Sequence, residues 1–329
     1  MRELKIEKND AGQRLDKFIT KTLDLPTGLL YKSIRLKKIK VNRKRAEANT
    51  LLLEGDTVQC FLAEEFFSKL DGKGVSDFSL GKIKPKLDIV YEDGNIMLLN
   101  KRPGISVHED EDGAANTLIT HIQAYLFGKG EYDPREEKSF APALCNRIDR
   151  NTGGIVIAAK NAEALRVMNE KIKLRQIDKF YLAAIHGIPK KKEDTLTGFL
   201  LKDEKTKQVR VYDKNPPKNA KSIATRYRVI ATRGDNALLE VELLTGRTHQ
   251  IRAHMAFVGH PLIGDGKYGV NKSDRLNGYK YQALYSYRLR FRFEGEKTAL
   301  DYLNGKEFSI PKNDIYFTED FFNKNKGDE

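Results

Sequence analysis

Five consecutive apolar residues, Ile155-Val156-Ile157-Ala158-Ala159, follow directly on Gly153-Gly154, and this run constrains the fold more than any other stretch. An apolar run of that length, bounded by glycines, reads as a strand buried in a sheet. Glycines beside a short polar residue let the backbone approach closely or take a positive φ. Immediately upstream stands one carboxylate, Asp149, between Arg147 and Arg150, followed by Asn151 and Thr152. The pattern predicts a tight turn at the edge of a sheet with Asp149 on it. Neighbouring arginines favour the charged form of an aspartate, and a carboxylate fixed on a rigid turn is suited to act as a nucleophile. Taken alone, the stretch fits a structural Arg–Asp pair better than a reactive one.

Chain length and charge narrow the class. At 329 residues the natural expectation is two domains. Forty per cent hydrophobic residues is enough for a packed interior, so global disorder is excluded. A net charge of +13 points to a polyanionic partner, with nucleic acid ahead of an anionic membrane. No apolar run approaches the roughly 20 residues of a membrane helix, and the first ten residues hold no apolar signal core, so a cytoplasmic protein is expected. The two cysteines, Cys60 and Cys145, exclude a disulfide framework and a cysteine-rich zinc site and read as buried thiols.

Residues 1–63 read as a small α/β module. Leu15, Phe18, Ile19 and Leu23 have helical spacing, Leu29, Leu30 and Ile34 suggest a second helix, and alternating strands are expected at Ile39–Val41 and Val58–Leu62. Between Lys32 and Arg45 lie eight basic residues and no acidic one: Lys32, Arg35, Lys37, Lys38, Lys40, Arg43, Lys44 and Arg45. A solvated face mixes signs, whereas a cluster of one sign favours phosphate binding. Residues 64–86, rich in Gly, Ser and charge, are expected to be a linker that tethers RNA near the next domain, with Phe66, Phe67 and Phe78 available to dock it. From residue 87 to 313 strands and turns dominate, which argues for an α+β domain around a mixed, mostly antiparallel sheet. Strands are expected at Ile89–Tyr91, Ile96–Leu99, Phe180–His186, Ala224–Ala231, Ala237–Leu244 and Leu289–Phe293, and helices at Leu118–Leu126 and Ala162–Leu174. Residues 314–329 read as a frayed, charged tail.

Two further motifs carry chemistry. Lys179-Phe180-Tyr181-Leu182-Ala183 places a tyrosine on a strand, where it either packs in the core, stacks on an extruded base or moves a proton. Gly246-Arg247-Thr248-His249-Gln250-Ile251-Arg252-Ala253-His254 reads as a strand ending at Gly246 and a short helix capped near Thr248, a place where arginine and free N–H groups favour an anion. Gly264-x-Gly266-x-x-Gly269 has the spacing of a dinucleotide fingerprint but opens no apolar helix, so it reads as a loop. No histidine pair has metal-binding helical spacing and no P-loop occurs, so neither a metal nor a nucleotide cofactor is expected.

The segment Asn146–Asn161, with the two motifs just described, resembles the large-subunit ribosomal RNA pseudouridine synthases of the RluA/RluC/RluD type. Their pattern runs roughly HRLDRxTSGxxxxAKN, here with Asn146 for the usual His and Gly153 for the usual Ser. The resemblance covers about Leu87 to Pro311. It implies a mixed sheet with the active cleft across its middle, Asp149 as the catalytic aspartate, Tyr181 in the active site, Arg252 paired with the aspartate, and Arg247 and His249 near the RNA. Arg147 and Arg150 are expected to contact RNA as well. Arg14-Leu15-Asp16-Lys17-Phe18, Ile39-Lys40-Val41-Asn42 and Gly55-Asp56 make the N-terminal module similar to the alpha-L RNA-binding domain. That adds Arg14 and Lys17 to Lys32, Arg35, Lys37, Lys38, Arg43 and Lys44 as expected RNA contacts. The implied activity is isomerisation of uridine to pseudouridine without a cofactor. Its substrate would be structured RNA, large-subunit ribosomal RNA or its assembly intermediate. A rival reading, a catalytically silent RNA-binding factor in ribosome assembly, is motivated by Asn146 and Gly153.

Overall fold

The computed structural model describes residues 1–71, 80–107, 117–203, 206 and 208–322. Phe78 and His108 therefore lie outside the described residues. The N-terminal part runs β1 (Arg2–Lys5), α1 (Leu15–Thr22), α2 (Thr27–Arg35), β2 (Ile39–Val41), β3 (Lys44–Arg45) and β4 (Thr57–Cys60). Its four strands form one antiparallel sheet in the order β1-β4-β2-β3. The helical spacing read from the sequence puts Leu15, Phe18, Ile19, Leu30 and Ile34 against this sheet, all buried. Phe67, in a single 3-10 turn at Glu64–Phe67, completes that core at 0% exposure.

The larger part contains β5 (Ile89–Glu92), β6 (Ile96–Lys101), α3 (Leu118–Gly128), β7 (Ala143–Leu144), β8 (Gly153–Ala159), α4 (Ala162–Lys173), β9 (Ile177–His186), β10 (Glu193–Lys202), β11 (Val209–Tyr212), β12 (Lys221–Arg233), β13 (Asn236–Leu243), α5 (Gln250–Phe257), α6 (Lys272–Leu276), β14 (Leu284–Phe291), β15 (Glu307–Ser309) and α7 (Glu319–Phe322). The main sheet runs β11-β10-β12-β13-β9-β14-β8-β6-β5, with β7 paired to β8 and β15 to β14. Every pairing is antiparallel except β14 with β8. This is the α+β, mostly antiparallel architecture expected.

β8 is buried at every position because both faces of the sheet are covered. Ile155 and Ile157 point to a core shared with α4 and the C-terminal segment, Val156 and Ala158 to one shared with α3 and α5. A strand buried on both faces needs apolar side chains at odd and even positions alike, which is why this run is continuous rather than alternating. It is an interior strand, between β14 and β6. The turn carrying Asp149 therefore stands at the end of a central strand, not at a lateral edge of the sheet as expected.

The C-terminal stretch also departs from expectation. Ile315, Phe317 and Thr318 are at 0% exposure and the short α7 follows them, so the start of the expected tail is anchored in the core rather than frayed. Two buried apolar residues among charged ones give too weak a periodicity to reveal this in the sequence.

Candidate active site

The glycines that open β8 are explained by its parallel neighbour. Tyr285 pairs with Gly153 and Ser286 with Gly154. A Cβ on Gly153 would lie 2.2 Å from the Tyr285 ring, and one on Gly154, where φ is +113°, would lie 2.1 Å from the Ser286 carbonyl oxygen. Close approach of β14 thus holds the turn just upstream, where the Thr152 N–H donates to the Asp149 carbonyl at 3.0 Å. Asn146, buried, accepts the Ile157 N–H on Oδ1 at 2.7 Å and ties the same turn to β8. The two departures from the family pattern therefore have local roles in building the turn.

Asp149 faces Arg252 on α5. Arg252 Nη1 donates to Asp149 Oδ2 at 2.8 Å, while Nε and Nη2 donate to Asp265 Oδ2 and Oδ1 at 2.7 and 2.8 Å. The guanidinium is thus clamped along one edge by a fully buried carboxylate and offers its remaining nitrogen to Asp149, a geometry that only the planar fork of arginine provides. Burial opposes the charge on Arg252, but Asp265 and Asp149 outweigh it and raise its pKa. Burial likewise pushes the Asp265 carboxyl up, and Arg252 with the Lys267 and Tyr268 N–H groups brings it below its ordinary value.

α5 begins at Gln250, not near Thr248, and β13 ends at Leu243 rather than Gly246. His249 precedes the helix in the left-handed region, φ 52°, and no side chain caps it. The αL turn aims His249 back at the cleft, its Nε2 3.9 Å from Asp149 Oδ2, while Nδ1 and the Tyr268 hydroxyl lie 2.8 Å apart. Burial lowers the His249 pKa, helped by Arg252 and Lys267 and opposed by Asp149, so the neutral ring is favoured. Gln250 holds the strand-to-helix corner: its Oε1 accepts from Thr245 Oγ1 and the Arg247 N–H, and its Nε2 donates to Thr225 Oγ1 and the Ala224 carbonyl.

Tyr181, on β9, lies on the same side of the sheet and is 6% exposed. Burial pushes its phenol up to about 12, and the Asp149 charge adds to that. Its neighbour Ser286 is buried with no well-formed hydrogen bond on Oγ. Asp149, Tyr181, Arg252, Arg147, Arg150, Arg247 and His249 all line one cleft of about 650 Å³, with Leu284 and Ile148 as its apolar wall. Arg147, Arg150 and Arg247 are exposed at its mouth. Cys145 also reaches this cleft, half-buried, with burial raising its thiol to about 12.

The other expected RNA contacts stand apart from the cleft, on the N-terminal sheet and its helices. Lys17, Lys32, Arg35, Lys37, Lys38, Arg43 and Lys44 are exposed there. Arg14 is half committed elsewhere, donating from Nε and Nη2 to the buried Asp16 at 3.1 and 2.7 Å.

Three residues of the site were invisible as such in the sequence. Asp265 closes the family-like stretch Gly259–Asp265 but carries no expected role there, and Tyr268 lies in the loop read as a false dinucleotide fingerprint, with its ring 5.2 Å from the Arg252 guanidinium. Lys101, 1% exposed, donates from Nζ to the carbonyls of Arg102, Ile105 and Arg150 at 3.1, 3.0 and 2.9 Å. Burial pushes its amine down to about 7, with Asp149 opposing. Three carbonyl acceptors match the three N–H donors of the charged form, whereas a neutral amine has two, so the geometry favours a charged lysine. Among the described residues no group of His, Cys, Asp and Glu could hold a metal ion, and no helix is long and apolar enough to cross a membrane.

A mixed sheet with a basic cleft, an arginine-paired aspartate and a tyrosine across from it defines an RNA-modifying enzyme of the pseudouridine synthase class. Residues 95–257 match the family model described as RNA pseudouridylate synthase. A ribosomal large subunit pseudouridine synthase C from Vibrio vulnificus is 33% identical over 291 residues, covering 87% of each chain. An uncharacterized RNA pseudouridine synthase from Mycoplasma capricolum is 30% identical over 308 residues, covering 92% of this chain and 94% of the relative. Human RNA pseudouridylate synthase domain containing 4 shares the fold, with a TM-score of 0.53 at 21% identity over 68% of this chain and 87% of that structure. The chain belongs to the RNA pseudouridine synthase family and is an isomerase. With Asn146 and Gly153 accounted for by the turn itself, the motivation for a catalytically silent factor disappears.

Proposed function

We propose that this protein converts specific uridines of large-subunit ribosomal RNA to pseudouridine, with Asp149 as the group that starts the reaction. The observation that carries the reading is the Arg252 fork, held by Asp265 and aimed at an Asp149 oxygen that faces the cleft. The relatives named as ribosomal large subunit pseudouridine synthases support the choice of RNA.

Entry of the uridine requires extruding it from its stack, at a cost of a few kcal/mol. The bond from the ribose anomeric carbon to ring N1 breaks, and a new bond forms from that carbon to ring C5. C5 gives up its hydrogen and N1 takes one, so atoms balance without a redox step or an added group. Asp149 can act by attack on ring carbon six, by attack on the anomeric carbon, or by taking a sugar proton. Arg252 keeps the carboxylate in one orientation through each of these. Burial pushes the Tyr181 phenol up to about 12, so it stays protonated at pH 7 with almost no phenolate to act as a base, and it offers its ring face to the uracil. His249 and the mouth arginines Arg147, Arg150 and Arg247 meet the surrounding backbone, and the cluster on the N-terminal module holds the RNA further out.

Asp149→Ala tests the assignment. Ribosomal RNA from cells carrying only this variant should lose the pseudouridines that the wild-type gene installs, as read by chemical mapping. Retention of those sites at wild-type level would refute it.

A further inference from the structure

A second cavity, of about 360 Å³, adjoins the cleft at Asp149. The two share Asp149, Arg150, His249 and Arg252 as lining residues. The second cavity is further lined by Lys267, Arg275, Lys280, Asn271 and Gln282. Among the described residues that line it, Asp149 is the only carboxylate, against five cationic side chains: Arg150, Arg252, Lys267, Arg275 and Lys280. Of these, Arg252 is neutralised by Asp265 and Asp149, whereas Arg150, Arg275 and Lys280 are exposed. A concave surface with this charge excess, rich in N–H donors, is built for a phosphate.

The geometry points to this cavity as the subsite for a backbone phosphate of the RNA strand next to the extruded uridine. The inference rests on the isomerase reading above and adds where the strand runs. With the uracil in the apolar-walled cleft and its ribose at Asp149, a phosphate flanking that ribose comes within reach of the adjoining cavity, which Asp149 also lines. Arg275 on α6 and Lys280 after it line that cavity. Val270 and Leu276, on the same loop and helix, are 83% and 85% exposed. Next to a phosphate site they provide an apolar surface for the neighbouring ribose or base.

The test uses the full chain with Arg275→Glu and Lys280→Glu combined, and Lys272→Glu as control, a charge reversal on the same helix but off the cavity wall. The probe is large-subunit ribosomal RNA from a strain lacking the gene, labelled with tritium at uridine C5. Filter binding gives the Kd, and tritium release gives kcat and KM. The double variant should raise Kd and KM at least about tenfold and keep kcat within about threefold. Its plot of log affinity against log salt should be shallower by about 0.7 for each phosphate that is no longer neutralised. A merely structural role would not change that slope. An unchanged Kd and slope, or an equal effect from Lys272→Glu, would overturn the subsite. Failure of the isomerase reading looks different: the wild type would bind the RNA and release no tritium.

Discussion

At the scale of single residues, the site shows how a small side chain and a large one are chosen together. Gly153 stands where relatives of this type usually carry serine, and the Tyr285 ring occupies the space that a Cβ there would need, 2.2 Å from its nearest carbon. The ring is itself fixed, since its hydroxyl donates to Asn100 Oδ1 at 2.7 Å. Restoring the family's serine with Gly153→Ser should therefore overpack the strand pair and destabilise the protein by about 1–3 kcal/mol. Combining it with Tyr285→Leu should recover part of that loss, because the flat ring is what the Cβ meets. Thermal unfolding of the two single variants and the double variant gives the coupling energy. Additive losses would show that the two positions do not share this space.

At the scale of elements, α5 connects the site to the fold through groups that work only when neutral or only when charged. His254, 1% exposed, faces Thr225 Oγ1 from Nδ1 at 3.1 Å, and burial pushes its pKa down to about 4. The unfolded chain has a histidine of ordinary pKa, about 6.5, and so binds the extra proton first. The stabilisation is complete above pH 6.5 and is lost as pH falls from there toward 4. The loss is on the order of 3 kcal/mol for a shift of this size, and His249, lowered in the same direction, adds to it. Denaturant titrations across pH 4–7 should show the decline, and His254→Gln should flatten it. An identical pH profile in the variant would remove His254 as its source. Much of α5 was legible beforehand, because its motif is long and its residue choice improbable. The apolar run of β8 and the helical spacing of α1, α2 and α4 could be read from the residues themselves, whereas the pairing of Arg252 with Asp149 came only from the family resemblance. What could not be read depends on partners distant in sequence. β10 was missed because its charged and polar alternation, Glu193-Asp194-Thr195, looks like a loop until β12 pairs with it. The clamp on Arg252 was missed because Asp265 becomes special only when the turn after α5 brings it back to the guanidinium. Lys101 was passed over because nothing in the sequence marks a lysine that is surrounded by carbonyls.

At the scale of the whole molecule, the function proposed above assigns one substrate to two basic surfaces. The N-terminal part carries Lys32 and Arg35 on α2 and Lys37 and Lys38 just after it, all exposed and none lining the cleft, and it meets the larger part through polar side chains. Asn9 Nδ2 donates to Glu137 Oε1 at 2.6 Å, Gln13 Nε2 to Ser139 Oγ at 2.7 Å, and Ser139 Oγ to Asp10 Oδ1 at 2.6 Å. On that proposal, a module held this way contributes affinity by raising the effective concentration of RNA at the cleft and leaves the chemistry to Asp149. Reversing Lys32, Arg35 and Lys38 to Glu should therefore raise KM for ribosomal RNA about 100-fold at low salt and leave saturated turnover nearly unchanged. The salt dependence of kcat/KM should weaken by about 2, close to 0.7 for each of three phosphates left without a cation. A substrate cut down to the stem-loop around one modified uridine is too short to reach both surfaces. On that RNA the triple variant and the wild type should behave alike, because the wild type no longer gains from the second surface either. If the triple variant were as impaired on the stem-loop as on the full RNA, the charges would be acting on the cleft itself, and the division of labour between the two parts would be wrong.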